Sequence, residues 1–142
     1  MGSLEKAIGL AVTAHKGQKD KAGGPYILHP LRVMFRMDSV IGMIAAVLHD
    51  VVEDTKVTLE DLRHEGFSEE VVSTVACLTR KSDESYDAFI DRIKDKPMAR
   101  KIKLADLEDN MDIRRVTEVG KKDLERLERY HRAWMALSSI KD

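Results

Sequence analysis

The most hydrophobic part of the chain is the run from Val40 to Leu48, and charged side chains follow it directly. A helix of this composition is apolar on nearly every side, so it must be buried. The run ends in His49-Asp50, and Glu53-Asp54 follow one helical turn later. We predict a buried helix that continues to about Asp54 and carries a histidine and three acids at its end.

Apolar residues recur at helical spacing over most of the remaining sequence, and no stretch shows the sustained alternation of a strand. We expect an all-α, single-domain helical bundle over residues 1–142, without repeats or linkers. Besides the buried helix, the pattern predicts helices at about residues 4–16, 30–37, 59–65 and 86–93, one that Ser68 caps, one that Pro97 starts and one after Gly120. That last helix is expected to turn its apolar residues inward: Leu124, Leu127, Tyr130, Trp134 and Leu137.

Capping residues mark the ends of several predicted helices. Pro30 suits the first position of its helix, because that position needs no backbone N–H. Thr58 is expected to cap the helix at 59–65, with Asp61 as the acid that reaches back to form a capping box. Gly17 and Gly66 are expected to end the helices that precede them.

The composition argues against nucleic acid and membrane partners. The 142 residues carry 24 Lys and Arg against 25 Asp and Glu, a formal net charge of -1, so no bulk field attracts a polyanion or an anionic bilayer. The buried run is shorter than the roughly 20 residues that a bilayer requires, and the first residues lack the apolar region of a signal peptide. The single cysteine, Cys77, lies in an apolar helical stretch and excludes an internal disulfide. We expect a cytoplasmic protein, and a homo-oligomer stays open at this point.

The three acids after the buried run need a positive partner. Asp50, Glu53 and Asp54 lie at i, i+3 and i+4 on a helix, where like charges repel. Burial strengthens that repulsion unless a positive group lies among them. A divalent metal held by an imidazole and carboxylates is the simplest answer.

Further ligands must come from other elements, since His49 and Asp50 are adjacent and about 100° apart around a helix. Two candidates are His29, at the mouth of a helix, and Asp106, which interrupts an apolar helix with Asn110 on the same face. Taken singly, a histidine before a proline, such as His29, is more often a helix cap or a loop hydrogen-bonding residue, and Asp106 could be a solvated helix residue. Together, two histidines and two aspartates suit Mn²⁺, Fe²⁺ or Zn²⁺ better than Mg²⁺.

Three segments of the chain share their pattern with one enzyme family. They are His15–Pro30, which contains His-Lys-Gly-Gln and Pro-Tyr-Ile-Leu-His-Pro, Leu48–Thr55, which reads Leu-His-Asp-Val-Val-Glu-Asp-Thr, and Lys103–Met111, which begins Lys-Leu-Ala-Asp. In this order the chain resembles the HD-domain metal-dependent phosphohydrolases, and specifically the guanosine 3′,5′-bis(diphosphate) 3′-pyrophosphohydrolases. That group contains the small alarmone hydrolases and the hydrolase domain of the bifunctional alarmone synthetase/hydrolases.

The resemblance implies an activity and a role for particular residues. The implied reaction is release of the 3′-pyrophosphate from a guanosine tetra- or pentaphosphate alarmone, a small-molecule nucleotide. The implied ligands of one metal, typically Mn²⁺, are His29, His49, Asp50 and Asp106. The implied catalytic acids are Glu53 and Asp54. Two residues are implied to contact the substrate. Lys21 matches a basic residue of the family's substrate loop, and Asn110 matches a residue that contacts the nucleotide sugar.

The chain departs from the family's pattern in two places. Asp20 precedes Lys21 where the family has a basic pair. Leu107-Glu108-Asp109 follows the aspartate of the third segment, where the family has a basic residue, a leucine and then a histidine or tyrosine. These departures predict a more acidic pocket and leave the recognition of guanine open.

Two other functions remain to be weighed. One is a related phosphohydrolase that acts on another nucleotide, such as a dinucleotide cofactor phosphate or a deoxynucleotide. The other is a non-catalytic helical binding module with a structural or regulatory metal. Glu53 and Asp54 argue against the second, because a purely structural site gains nothing from extra acids beside its ligands. In an enzyme, Glu53 would orient water or take its proton, and Asp54 would share this task or protonate the leaving group.

Overall fold

The computed structural model describes residues 2–141, which form nine α-helices and one short 3₁₀ turn. The helices are α1 Leu4–Ala14, α2 Leu28–Phe35, α3 Val40–Leu48, α4 Val51–Asp54, α5 Leu59–His64, α6 Glu69–Cys77, α7 Tyr86–Ile93, α8 Pro97–Asn110 and α9 Lys121–Ser138, with the 3₁₀ turn at Ile113–Arg115. The β structure within residues 2–141 is an isolated antiparallel bridge between Lys19 and Pro25. The expected all-α fold is confirmed. Met1 and Asp142, the two ends of the expected domain, lie outside the described residues.

Thr58 and Ser68 cap the starts of α5 and α6, as the sequence predicts. Thr58 Oγ1 accepts a hydrogen bond of 3.1 Å from the Asp61 N–H, and Asp61 Oδ2 accepts one of 2.9 Å from the Thr58 N–H. This is the expected capping box. Gly17 and Gly66 follow α1 and α5 with φ of 85° and 90°, a left-handed conformation that glycine adopts without strain.

The start of α2 differs from the prediction. The helix begins at Leu28 after Ile27, so Pro30 occupies the third helical position and not the first. A proline is tolerated there because the first four N–H groups of a helix have no partner inside it. His29 therefore lies inside the first turn of α2 and not at the end of the preceding loop.

The predicted continuous helix from Val40 to Asp54 is interrupted. α3 ends at Leu48, His49 and Asp50 form a turn, and α4 begins at Val51. The backbone N–H of His49 bonds the carbonyl of Ala46 at 3.3 Å, three residues back, which tightens the last turn of α3. The interruption redirects the chain at the two residues expected to bind a metal.

α3 and α8 occupy the centre of the bundle. α3 packs against α1, α2, α6 and α8, while α8 also packs against α2, α6, α7 and α9. The buried part of α3 is Ile44–Leu48, whereas Val40 and Ile41 in its first turn are 59% and 38% exposed. The expectation of full burial therefore holds only for the end of α3 nearest His49.

The last helix is also less buried than predicted. In α9, Leu137 is fully buried and Leu124 is 55% exposed.

Cys77 is buried at the end of α6, as expected of a core residue. Across residues 2–141, none of the helices has both the length and the apolar composition needed to cross a membrane.

Candidate metal centre

The four residues expected to bind a metal lie together in the structure. One ligand atom from each of His29, His49, Asp50 and Asp106 lies within 4.8 Å of the others. His29 Nε2 is 2.8 Å from Asp106 Oδ1, and His49 Nε2 is 3.2 Å from Asp50 Oδ2. Both histidines and Asp106 are buried, while Asp50 lines a cavity.

Three packed segments of the bundle bring this cluster together. His29 comes from the first turn of α2, Asp106 from the last part of α8, and the His49-Asp50 pair from the turn between α3 and α4. Because α2, α3 and α8 pack against one another in all three combinations, side chains far apart in sequence converge. We call these four residues the His/Asp cluster.

The histidine rings are oriented as metal ligands require. His29 Nδ1 lies 2.6 Å from Asp109 Oδ2, and His49 Nδ1 lies 2.5 Å from the carbonyl of Ala46. Both partners can only accept a hydrogen bond, so each Nδ1 carries the hydrogen and each Nε2 points to the His/Asp cluster. Such outward bonds are what orient histidine ligands in metal sites.

The His/Asp cluster needs a positive charge at its centre. Both Nε2 atoms face Asp106 Oδ1, at 2.8 Å from His29 and 3.4 Å from His49. A neutral imidazole with its hydrogen on Nδ1 would direct a lone pair at that carboxylate, so a cation or a proton must lie between them. Burial alone lowers the pKa of His29, but hydrogen bonds to Asp106 and Asp109 outweigh it and raise the pKa to about 9. The donor set thus fits a divalent metal with mixed nitrogen and oxygen ligands.

Two side chains without a predicted role hold the carboxylates of the His/Asp cluster. Tyr26 donates its hydroxyl hydrogen to Asp50 Oδ2 at 2.5 Å, and burial raises the pKa of this phenol, with Asp50 adding to the effect. Lys103 Nζ donates to Asp106 Oδ2 at 2.8 Å. Its i, i+3 spacing from Asp106 could have identified Lys103 from the sequence, whereas Tyr26 lies in a loop that offers no periodic pattern.

The acid pair Glu53 and Asp54 lies beside the His/Asp cluster, with carboxylate oxygens of both within 4.8 Å of one from Asp50. Glu53 Oε1 accepts a hydrogen bond of 2.9 Å from the backbone N–H of Arg80, which fixes the carboxylate. Partial burial raises the pKa of Glu53 and Asp54, and the charge of Asp50 adds to this in both. Each acid is therefore easier to protonate than an isolated carboxyl group.

A cavity of about 560 Å³ opens onto the His/Asp cluster and the acid pair. Lys21 and Asn110, the two residues expected to contact substrate, both line it. Asn110 Nδ2 donates to Asp106 Oδ1 at 3.2 Å, so its amide carbonyl remains for a ligand. Arg129 also lines the cavity, and its guanidinium lies over the rings of Tyr86 and Tyr130, 5.2 and 5.4 Å from their centroids.

The two departures from the family's pattern have structural roles. Asp20 Oδ1 accepts hydrogen bonds from the N–H groups of Ala22 and Gly24 at 2.9 and 2.8 Å, so it shapes the loop that carries Lys21. In the second departure, Leu107 is buried and Glu108 pairs with Arg36 outside the cavity.

Of the three residues in the second departure, Asp109 alone lines the cavity, and its carboxylate is bound by His29 and by Arg32. We had expected Leu107-Glu108-Asp109 to make the pocket more acidic. Leu107 and Glu108 do not line the cavity, so they do not have this effect. The negative charge of Asp109 is offset by its partners.

Comparison with known proteins identifies relatives over most of the chain. The sequence model of a family described as "HD domain" matches residues 7–117. A guanosine-3′,5′-bis(diphosphate) 3′-pyrophosphohydrolase of Aquifex aeolicus (strain VF5) is 36% identical over 121 residues, which cover 76% of this chain and 17% of the relative. A GTP pyrophosphokinase of Streptomyces coelicolor is 37% identical over 135 residues, 84% of this chain and 16% of the relative. The chain thus spans less than a fifth of the length of these curated relatives.

The fold also has a counterpart among solved structures. The structure of a protein described as a metazoan ortholog of SpoT that hydrolyzes ppGpp matches with a TM-score of 0.78 and 23% sequence identity. The match covers 96% of this chain and 85% of that chain, so the two are similar in extent as well as in fold. The helical bundle described above therefore shares the fold of that structure.

Proposed function

The chain belongs to the HD domain family, and we propose on that basis that it is a metal-dependent hydrolase that removes the 3′-pyrophosphate from guanosine tetra- and pentaphosphate alarmones. The observation that carries this proposal is the His/Asp cluster with the acid pair beside it, in a cavity that cationic and aromatic side chains also line. The matched family model spans residues 7–117, which include all of these residues, and the relative from Aquifex aeolicus is named for this reaction.

We propose that the His/Asp cluster holds one divalent metal, with Mn²⁺ as the expected ion and Fe²⁺ or Zn²⁺ as alternatives. The outward hydrogen bonds of both histidines and the need for a positive charge beside Asp106 support this assignment. A divalent metal held there would polarise a phosphoryl oxygen and lower the pKa of water toward about 7. Lys103 and Tyr26 would keep the two ligand carboxylates in place.

Glu53 is proposed as the general base. Because Arg80 N–H holds Oε1, the other oxygen, Oε2, is left to accept a proton from water. Its pKa, raised by partial burial and by Asp50, brings the carboxylate closer to the basicity that proton abstraction near neutral pH requires. The water oxygen then forms a bond to the phosphorus at the 3′ position as the bond from phosphorus to the sugar oxygen breaks.

Asp54 is proposed to return a proton to the sugar oxygen as it leaves. Its pKa is raised, first by partial burial and then by Asp50, so a share of its carboxyl groups is protonated at higher pH than usual. Lys21 would neutralise the pyrophosphate as a flexible point charge, and the free amide carbonyl of Asn110 would accept from a ribose hydroxyl.

The proposal is tested by incubating the purified chain and Mn²⁺ with a panel of nucleotides. Release of pyrophosphate and GDP from guanosine tetraphosphate is the expected result. Phosphate release from a dinucleotide cofactor phosphate or a deoxynucleotide, with no reaction on the alarmone, would instead support the related phosphohydrolase. Stoichiometric Mn²⁺ binding without turnover of any compound would support a binding module.

Replacing Glu53 separates catalysis from metal binding. Glu53→Gln keeps an acceptor for the Arg80 N–H but cannot take a proton, so we expect turnover to fall about 10²–10⁴-fold with Mn²⁺ affinity unchanged. The matched control is Glu60→Gln, because the exposed Glu60 side chain on α5 pairs with Arg63 outside the cavity. A Glu53→Gln enzyme of near-normal rate would rule out Glu53 as the base.

The remaining assignments are proposals of the same kind. We propose that the protein acts in the cytoplasm on a small nucleotide. Because the net charge is close to zero, we expect neither nucleic acid nor membrane partners. A homo-oligomer is compatible with this activity. Its presence is decided by light scattering on the purified chain.

A further inference from the structure

Asp109 is the most heavily bonded carboxylate next to the His/Asp cluster. Its side chain is 4% exposed and lies 2.6 Å from His29 Nδ1. Arg32 binds both of its oxygens, with Nε 2.7 Å from Oδ1 and Nη2 3.1 Å from Oδ2. We infer that Asp109 is a positioning residue for the metal centre. Asp109 holds the His29 ring with Nε2 toward the metal, and Arg32 holds the Asp109 carboxylate in turn.

The chemistry of the three groups supports this role. A carboxylate can only accept from an imidazole, so Asp109 requires the hydrogen of neutral His29 on Nδ1 and leaves the lone pair on Nε2. The guanidinium of Arg32 donates two nearly parallel hydrogen bonds, which define the plane of the carboxylate and hence the direction of the bond to His29. Arg115 adds a donor to the backbone carbonyl of Asp109 at 2.9 Å.

The placement of these residues on two helices makes the arrangement rigid. His29 and Arg32 are three residues apart on α2, and Asp106 and Asp109 are three residues apart on α8. Pairs at this spacing lie on the same face of a helix. One turn of α8 therefore supplies both a proposed metal ligand and the group that orients another.

The two histidines of the His/Asp cluster differ in how they are oriented. His49 Nδ1 bonds a backbone carbonyl, that of Ala46, which no substitution removes. The outward bond of His29 depends on a side chain, so a single substitution at position 109 can remove this bond and leave all four proposed ligands in place. Removing such an outer partner typically lowers metal affinity about 10–100-fold. The inference rests on the proposed metal centre but not on the identity of the nucleotide.

The test compares Asp109→Asn with the neighbouring control Glu108→Gln. In the variant, Arg32 Nε still needs an acceptor, so the amide oxygen is expected to face Arg32 and the amide N–H to face His29. His29 then favours the tautomer with hydrogen on Nε2, and we expect Mn²⁺ binding to weaken about 10–100-fold in calorimetry. Glu108→Gln, whose side chain faces Arg36 and Trp134, is expected to bind Mn²⁺ as the wild type does.

A second measurement reports on the histidine directly. In the zinc-loaded wild-type protein, the His29 Nδ1–H proton should resonate far downfield in NMR spectra, because it is bonded to a carboxylate. Asp109→Asn should move or remove this resonance, while that of His49 stays unchanged. A general loss of folding would shift both resonances.

Unchanged Mn²⁺ affinity and an unchanged His29 resonance in Asp109→Asn would overturn the role of Asp109. If that variant does not fold, Arg32→Met decides. It removes the two hydrogen bonds that fix the plane of the Asp109 carboxylate, while Arg115 Nη2 stays 3.6 Å from Oδ2, and it should also weaken Mn²⁺ binding. Unchanged affinity would again overturn the inference. A wild-type chain that does not bind Mn²⁺ overturns the metal centre and this inference together. A chain that binds Mn²⁺ but releases no pyrophosphate contradicts only the proposed function.

Discussion

Single charged residues in this protein act through the partners that surround them, and Arg92 is an example away from the cavity. Its guanidinium binds both carboxylate oxygens of Glu84, at 2.8 and 2.9 Å. It also donates to the backbone carbonyls of Cys77 and Thr79 at 3.0 and 3.2 Å. One side chain thus joins the end of α6 to the segment that precedes α7. The hydrogen bonds from Arg92 lower the pKa of Glu84 from 4.5 to about 2.

This lowered pKa predicts a pH-dependent contribution to stability. Because the folded pKa lies below the unfolded one, Glu84 stabilises the fold above pH 4.5 and loses that effect as the pH falls to about 2. Glu84→Gln should lower the thermal unfolding midpoint at pH 7, and the difference from wild type should close between these two pH values. Glu118→Gln, on an exposed segment, is the control. A difference that persists at pH 2 would contradict this origin of the stability.

At the scale of the element, the ends of the helices place the chemistry. The turn at His49-Asp50 separates α3 from α4, yet the Asp54 N–H still bonds the Asp50 carbonyl at 2.9 Å. Asp50 and the acid pair therefore keep the one-turn relation that the sequence predicts, although the long helix does not exist. In this turn His49 is the C-cap of α3 and Asp50 is the N-cap of α4. The adjacent residues His49 and Asp50 can then both be part of the His/Asp cluster.

Substituting alanine at two glycines should change the free energy of unfolding in opposite directions, which tests their backbone conformations. Gly66 ends α5 with φ of 90°, where an L side chain is strained, so Gly66→Ala should lower the free energy of unfolding by about 1–2 kcal/mol. Gly9 lies in α1, and a Cβ there meets nothing within 4 Å. Gly9→Ala should raise the free energy of unfolding by about 0.5–1 kcal/mol. Urea denaturation measures both, and changes of the same sign would contradict the assigned conformations.

At the scale of the whole molecule, the His/Asp cluster lies where three segments of the bundle meet. Its ligands come from α2, from the turn after α3 and from α8, which are packed against one another. The proposed metal would therefore link three segments that the unfolded chain leaves far apart. A ligand that binds only the folded chain stabilises it by mass action, about 2.7 kcal/mol at 100 times its dissociation constant.

Metal addition and removal should consequently change global stability. Mn²⁺ should raise the thermal unfolding midpoint of the wild type, and a chelator should reverse the increase. His49→Ala and Asp106→Ala should abolish both the Mn²⁺-induced increase and the turnover, whereas Glu53→Gln should keep the increase. The change on adding Mn²⁺ is compared within each variant, because Asp106→Ala also leaves Lys103 without its carboxylate. An undiminished increase in Asp106→Ala would exclude that residue as a ligand.

The amino-acid sequence by itself determined the helical class, the caps at Thr58 and Gly66, and the choice of His29, His49, Asp50 and Asp106 as candidate metal ligands. These features follow from periodicity and from short motifs, which act over a few residues and can be recognised without a fold. The interruption after α3 was not predictable in this way, because an unbroken apolar run favours one helix.

Only the tertiary structure decided what orients the His/Asp cluster. Asp109 binds His29 across 80 positions of the chain, and Tyr26 binds Asp50 across 24. The same acid at position 109 was expected to add negative charge to the pocket, but the crossing of α2 and α8 places it against an imidazole and an arginine. The strength of such a contact depends on distances of a few ångströms between helices, and spacing along a sequence carries no information about them.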